Sequence, residues 1–259
     1  MLQKRGAGLE NRNEVRKNFG RRAANYRLSA THGNKEDLER MISLLNPAPA
    51  AAALDVATGG GHTAAALSRY VRKVTAVDIT PEMLKEASLL AGQCGAENIV
   101  FQIADVHELP FSGGEFDIVV SRFAPHHFYD IKKALQEMCR VLKPGGLLYI
   151  LDCSVYDGEE TEKEINRLEY LRDNSHRCSY SPRQWQKLLD GLPLEQKHAA
   201  LLKQQYNLPE WFDRMEVNEE TRQEVFRILA GLSEKAKALY PYGQDFITTY
   251  RFELLAEKL

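Results

Sequence analysis

Between residues 52 and 153 short apolar runs alternate with segments of helical periodicity. ALDVA (53–57) is a brief buried-type run ending in glycines, and KVTAVDI (73–79) is β-branched and stops at an acid. NIVFQIAD (98–105), FDIVVSRF (116–123) and LLYILD (147–152) are three more strand-like runs. Near-continuous apolar runs of this length suit strands covered by helices on both faces. In TPEMLKEASLLAGQC, Thr80 is placed to cap, Pro81 opens the first turn, and Met83, Leu84, Ala87 and Leu90 share an apolar face. IKKALQEMCRVLK (131–143) is amphipathic and runs into Pro144-Gly145-Gly146, a helix stop. The repetition predicts an α/β fold, a doubly wound and mostly parallel sheet.

The flanks follow other periods. Residues 13–28 and 34–45 read as helices, and NPAPAAA links them to the first strand. After residue 153, EETEKEINRLEYLRDNSH and SPRQWQKLLDGL read as helices and LEQKHAALLKQQYN as a strand. A helical stretch at 219–239 precedes DFITTYRFELLAEK, a strong closing strand. The gap between those last two strands exceeds a hairpin turn, so helices are inserted there. No internal repeat or low-complexity tract is present.

Composition narrows the function classes. The 259 residues are 44% hydrophobic and 27% charged, an ordinary globular balance. A net charge of -2 supplies no overall basic field for a nucleic-acid backbone. No apolar run approaches the ~18 residues that a membrane span needs, and the basic N-terminus lacks the apolar centre of a secretory signal. Cys94, Cys139, Cys153 and Cys178 are dispersed, which suggests a reduced, cytoplasmic protein without disulfides or structural zinc. Lys4, Arg5, Arg12, Arg16, Lys17, Arg21 and Arg22 read as a frayed tail leading into a solvated helix face. Nothing in the residues fixes an oligomeric state.

The stretch LDVATGGGHT (54–63) admits two ligands. Gly59-x-Gly61-x-x-Ala64 satisfies the dinucleotide-binding spacing. Asp55-x-Ala57-x-Gly59-x-Gly61 is also the glycine turn used for S-adenosyl-L-methionine (SAM). A pyrophosphate over this turn would be repelled by Asp55, expected at or near the crevice, whereas SAM carries a sulfonium and an ammonium against one carboxylate. The alternative for Asp55 is capping of the turn's own backbone. Asp78, ending the second strand, suits ribose hydroxyls in either ligand. Asp105, ending the third, could accept from an adenine amine, with Val106 against the ring.

LDVATGGG, LPFSGGEFDIVVSRFAPHHF and RVLKPGGLL, in this order, resemble the SAM-dependent class I methyltransferases, most of all the ubiquinone/menaquinone C-methyltransferase-like branch. The likeness covers residues 54–153 strongly and the flanks weakly. It implies a Rossmann-like sheet of seven strands with the last antiparallel, an N-terminal helical cap or lid (1–48), and a SAM-binding methyltransferase domain (49–259). That domain divides into a core (52–153) and acceptor-side elements (154–259). It further implies that Gly59 and Gly61 let the backbone approach the methionyl part and that Asp78 holds the ribose. Ile79, Asp105 and Val106 would surround the adenine, and the backbone around Ser121 and Arg122 would accept from the methionyl ammonium. S-adenosyl-L-homocysteine would be the product. Ala57 stands where a glycine is more usual. The tail is closer to bacterial methyltransferase-domain proteins without a firm acceptor.

Methyl transfer from a sulfonium is an in-line displacement, and a base is needed only if the acceptor must lose a proton. Candidates cluster in SRFAPHHF: His126 as base or acceptor ligand, Arg122 as anchor for an anionic or phenolic small molecule. Adjacent residues rarely point the same way, so one histidine of His126 and His127 at most is expected to act. FGRRAANYRLSATHG has the composition of a lid, with Phe19, Tyr26, His32 and a Gly33 hinge. Arg172, Asp173 and His176 could line an acceptor pocket. Metal-assisted catechol methylation would need two or three oxygen ligands; no spacing singles out Asp152 or Asp173, and no metal is expected. Ser121-Arg122-Phe123-Ala124-Pro125 lacks the Pro-Pro-aromatic pattern of base-amino methyltransferases that hold a flipped base. A SAM-binding protein without turnover is a further alternative. Nicotinamide oxidation would rest on Tyr129-x-x-x-Lys133, which comes too soon after the glycines.

Overall fold

A computed structural model describes residues 2–259. One sheet contains β1 (Ala52–Val56), β2 (Lys73–Asp78), β3 (Ile99–Ile103), β4 (Phe116–Arg122), β5 (Leu142–Ser154), β6 (Leu194–Asn207) and β7 (Phe246–Lys258). Their order is β3-β2-β1-β4-β5-β7-β6. Strands β1 to β5 are parallel, and β7 runs antiparallel between β5 and β6. The expected Rossmann-like doubly wound sheet is thus found. Chain progression reverses between β1 and β4, and at such a switch point a crevice opens beyond the strands' carboxyl ends.

Helices α1 (Leu2–Arg27) and α2 (Lys35–Leu45) precede the sheet, and α3 (His62–Leu67), α4 (Pro81–Gln93) and α5 (Ile131–Val141) connect its parallel strands. Beyond β5 come α6 (Glu159–Arg172), α7 (Pro182–Leu189), α8 (Leu208–Asp213), α9 (Glu219–Gly231) and α10 (Glu234–Leu239). Alternation along the strands feeds two core layers. Leu54, Val56, Val119 and Ile150 pack on Leu135, Met138 and Trp185, while Ala53, Val74 and Val120 pack on Met41, Leu45 and Leu67. A third cluster, with Leu168, Trp211, Phe212, Val225 and Leu229, holds the inserted helices together. Among the described residues no helix is long and apolar enough to cross a membrane.

Polar clamps fix α2 across the sheet. Glu253 on β7 is 1% exposed and accepts from Tyr149 Oη (2.9 Å), His198 Nε2 (3.0 Å) and Arg40 Nε (2.8 Å). Arg251, two positions earlier on the same strand, donates through both terminal nitrogens to Asp37. Partnering of this kind offsets the cost of burying charge.

Some boundaries differ from the sequence expectation. Helix α5 ends at Val141 rather than Lys143, because Leu142 already pairs with Phe116 in the ladder. Lys258 Nζ caps the freed carbonyls of Cys139 (2.8 Å) and Leu142 (2.7 Å). The Pro-Gly-Gly stop therefore lies within β5, at the register shift between Phe116 and Ile118. The stretch 219–239 breaks at Leu232, where Ser233 starts α10 by accepting from the Ala236 N–H. Helix α8 was not anticipated; Asn207 caps it through the Glu210 N–H at 2.9 Å.

Trp185 is fully buried and stacks on Phe252 at 5.7 Å between ring centroids. Trp185→Ala should lower unfolding free energy by about 3–5 kcal/mol, measurable by denaturant titration. A loss under about 1 kcal/mol would show that the layer beneath α7 repacks.

Candidate active site

The turn after β1 needs left-handed backbone at three places: Ala57 (φ 57°), Gly59 (φ 53°) and Gly61 (φ 88°). At Gly61 a Cβ would also lie 2.8 Å from Ala87 of α4, so glycine there permits close packing. Internal hydrogen bonds engage three of the turn's donors. Thr58 N–H donates to the Val77 carbonyl (2.9 Å), Gly59 N–H to Asp78 Oδ2 (3.0 Å) and Gly61 N–H to the Thr58 carbonyl (3.0 Å). That leaves fewer N–H groups to cradle a pyrophosphate.

A cavity of about 840 Å³, partly open to solvent, lies over this turn. Asp78 lines it; its other oxygen, Oδ1, accepts from the Thr80 N–H at 2.8 Å, and burial pushes its carboxyl up. Both oxygens keep lone pairs for a diol. Val77, Ile79, Met83, Val106 and Phe128 give the cavity an apolar slot. Asp105 closes one end. Burial raises its carboxyl, but hydrogen bonds from His107 N–H (2.9 Å) and Nδ1 (2.6 Å), with Arg12, hold it below the usual range. Arg12 reaches down from α1, its Nε 3.1 Å from Asp105 Oδ2 and its Nη2 donating to Tyr129 Oη at 3.0 Å.

Helix α1 forms the outer wall. Its C-terminal turn lies so close that a Cβ on Gly60 would meet the Tyr26 carbonyl carbon and oxygen at 2.7 Å. His62 Nε2 hydrogen-bonds the same carbonyl at 3.1 Å. Phe19, Tyr26, His32, Phe123 and His127 form a partition of rings shared with a second cavity of about 690 Å³. Phe19 sits edge-on to His127 at 4.9 Å, and His32 to Phe123 at 5.3 Å. Phe123 itself has φ 52°, a strained conformation for a bulky residue.

The second cavity lies between the sheet edge and the inserted helices, with Ile165, Tyr206, Trp211 and Tyr250 among its walls. Arg172 pairs with Glu169 (Nη2–Oε2 3.0 Å) and covers the Trp211 ring at 4.3 Å. His126 Nδ1 lies 2.6 Å from Asp152 Oδ1. Burial opposes protonation of His126, but Asp152 outweighs it and raises the imidazole above its ordinary value. His127 moves the other way, pushed down by burial and by the neighbouring His126. Among the described residues, His126, Asp152 and Cys153 each bring one donor atom within 4.8 Å of the others. Asp152 and Cys153 are consecutive on β5, and burial keeps the Cys153 thiol protonated. The set is an Asp–His pair beside a neutral thiol.

The structure brings Ala57, Gly59, Asp78, Ile79, Asp105, Val106 and Arg122 to one cavity. Asp55 departs from expectation. It is 1% exposed and lies beneath the turn, accepting from Thr58 Oγ1 at 2.5 Å; burial pushes its carboxyl up to about 6. It caps the turn instead of facing the crevice. Gly61 acts through packing on α4, and Ser121 Oγ ties β4 to the Val56 carbonyl at 3.1 Å. Arg122 is 6% exposed and lines the first cavity, not the second; its Nη1 donates to Thr63 Oγ1 at 3.2 Å. Arg172 and Asp173 line the second cavity, whereas His176 stands behind His126 and bonds Asn166. Sequence reasoning passed over Ser175, whose hydroxyl reaches His127 from 48 positions away, and no local pattern marks it.

Residues 54–150 match the family model described as "Methyltransferase domain". The chain is 36% identical over 195 residues to the uncharacterized methyltransferase YcgJ of Bacillus subtilis, covering 75% of this chain and 76% of that one. The crystal structure of YcgJ superposes with a TM-score of 0.79 at 30% identity, covering 86% and 98% of the two chains. A methyltransferase-like protein from Bacillus halodurans superposes with a TM-score of 0.82 at 28% identity, covering 86% and 99%. The ubiquinone/menaquinone biosynthesis C-methyltransferase UbiE of Rickettsia massiliae is 38% identical over 127 residues, 46% of this chain and 50% of its own.

Two substitutions test this geometry. Ala57→Gly relieves a left-handed alanine and should stabilise the fold by up to about 1 kcal/mol in thermal denaturation; destabilisation would mean that the methyl packs favourably. Gly60→Ala drives a methyl into the backbone of α1. It should raise the rate of tryptic cleavage within residues 12–27 about tenfold, the equivalent of ~1.4 kcal/mol of local opening, with the core's melting little changed. An unchanged cleavage rate would mean that α1 is not seated on the turn.

Proposed function

This chain belongs to the SAM-dependent class I methyltransferases, and we propose that it methylates a small phenolic or quinone-type molecule seated in the second cavity. The observation that carries the reading is the set of rings common to both cavities, which makes the cavities adjoin so that a methyl on one side could reach an acceptor on the other. SAM supplies, when bound, a methyl group already activated on a sulfonium.

The chain's own residues supply placement. Asp78 would hold the ribose diol, Ile79 and Val106 would pack on the adenine, and Asp105 would meet its amine. Gly59 and Ala57 keep side chains away from the methionyl part, with Asp55, Gly61 and Ser121 supporting that backbone from behind. Arg122 sets a cation on the cofactor side, where the ligand's single carboxylate is its natural partner. The partition's ring faces attract a sulfonium, each by about 0.5–2 kcal/mol. Helix α1 and the segment to Gly33 act as a lid, excluding water from the shared wall. Holding two reactants in line is worth up to ~7–11 kcal/mol of barrier. The aromatic and aliphatic walls of the second cavity suit a ring-bearing acceptor, and the likeness to UbiE over half its length supports a quinone-related one. The dispersed free cysteines fit a reducing, cytoplasmic setting.

A nucleic-acid methyltransferase is disfavoured by the net charge of -2. A nicotinamide enzyme is disfavoured by the likeness to methyltransferases. Calorimetric titration tests the reading. S-adenosylhomocysteine should bind in the micromolar range, at about -8 kcal/mol, with no saturable NADH binding. Asp78→Ala should weaken the former at least tenfold, about 1.4 kcal/mol. Saturable NADH binding without S-adenosylhomocysteine binding would overturn the assignment. Binding followed by no transfer to any phenol, quinol or RNA would leave a SAM-binding protein without turnover.

A further inference from the structure

We propose that His127, through Nε2, is the catalytic base that takes a proton from the acceptor's hydroxyl, and that Ser175, Asp173 and His126 are its positioning residues. The proposal rests on the methyltransfer reading above and narrows the acceptor to one whose reacting centre loses an O–H proton, a phenol or an enol.

The hydrogen-bond chain behind His127 fixes its tautomer. Ser175 Oγ donates its one proton to Asp173 Oδ1 at 2.6 Å. The 3.2 Å contact between Ser175 Oγ and His127 Nδ1 must then be donated by the imidazole, so Nδ1 carries the ring proton. Nε2 is left with a lone pair, on a side chain that lines both cavities. His126 lines the second cavity alone. Its Nδ1 is engaged by Asp152, and its ring lies 4.0 Å from that of His127.

The charges facing the pair push the two imidazoles apart, the usual signature of divided acid–base roles. His126 faces Asp152, Glu169 and Asp173, which favour its imidazolium. His127 faces that imidazolium and Arg172, opposed by Asp173, and with burial they keep it neutral. His176 stands behind, also held neutral. In the transfer, the acceptor O–H bond breaks and its proton goes to Nε2 while its electron pair stays on oxygen. That oxygen, or the carbon conjugated to it, bonds the methyl with this electron pair as the S–CH₃ bond breaks, and the sulfonium leaves as a neutral thioether. The His127 imidazolium so formed has Asp173 Oδ2 at 4.0 Å as counter-charge.

Long-range ¹H–¹⁵N correlation of the full chain, ¹⁵N-labelled at histidine and saturated with S-adenosylhomocysteine, tests this without knowledge of the acceptor. His127 should remain neutral with its proton on Nδ1 from about pH 6 to 8. Ser175→Ala should abolish that preference, and His126→Gln should raise the His127 midpoint by about one pH unit or more. A proton on Nε2, or a midpoint indifferent to His126, would overturn the assignment even though the cofactor analogue binds. Failure to bind the analogue would instead remove the methyltransfer reading on which the proposal rests. In methyl transfer to a phenol that the unaltered protein methylates, His127→Gln should lower kcat about 100-fold or more; an unchanged rate would contradict the role.

Discussion

The left-handed turn that leaves β1 at the switch point controls the rest of the site. Ala57, Gly59 and Gly61 bend the chain out of the sheet there, and three of the turn's N–H groups are satisfied within the protein. Asp78 accepts from Gly59 and so couples the tip of β2 to the turn, while Asp55 holds Thr58 from below. The surface offered to a ligand includes a carboxylate and an apolar slot. Bringing α1 within 2.7 Å of the Gly60 Cβ position also requires this compact turn, so cofactor floor and outer wall share one constraint.

The second cavity is lined by paired buried charge. Glu169 with Arg172, Asp152 with His126 and Asp173 with Ser175 each partner a group that would otherwise be too costly to bury, with Asp152 Oδ2 left unpaired. These pairs come from β5, α6, the segment after it and the loop after β4. Helix α1 contributes Phe19 and Tyr26 to the ring partition, so its seating decides whether the two cavities are separated from solvent together.

The sheet and the residues that line the first cavity were legible because their signals are local. Strand-end acids, a glycine turn and apolar runs all act within a few residues of themselves. Asp55 was misjudged because its direction depends on the Thr58 hydroxyl and on the start of α3, neither of which alternation along a strand encodes. The end of α5 was overrun because Leu142 is claimed by Phe116 in the ladder, a non-local pairing. The division between His126 and His127 was out of reach for the same reason. It is set by Asp152 on β5 and by Ser175 beyond α6, and adjacent residues carry no mark of which neighbour they will meet.

The central claim is that cofactor and acceptor occupy adjoining cavities that meet at one set of rings. A crystal structure of the complex with S-adenosylhomocysteine tests it most directly. The account predicts the adenosine in the slot beside Asp78 and the sulfur at the partition of Phe19, Tyr26 and His127, facing the second cavity. A sulfur turned toward solvent, or an adenosine bound elsewhere with the slot closed by α1, would contradict it.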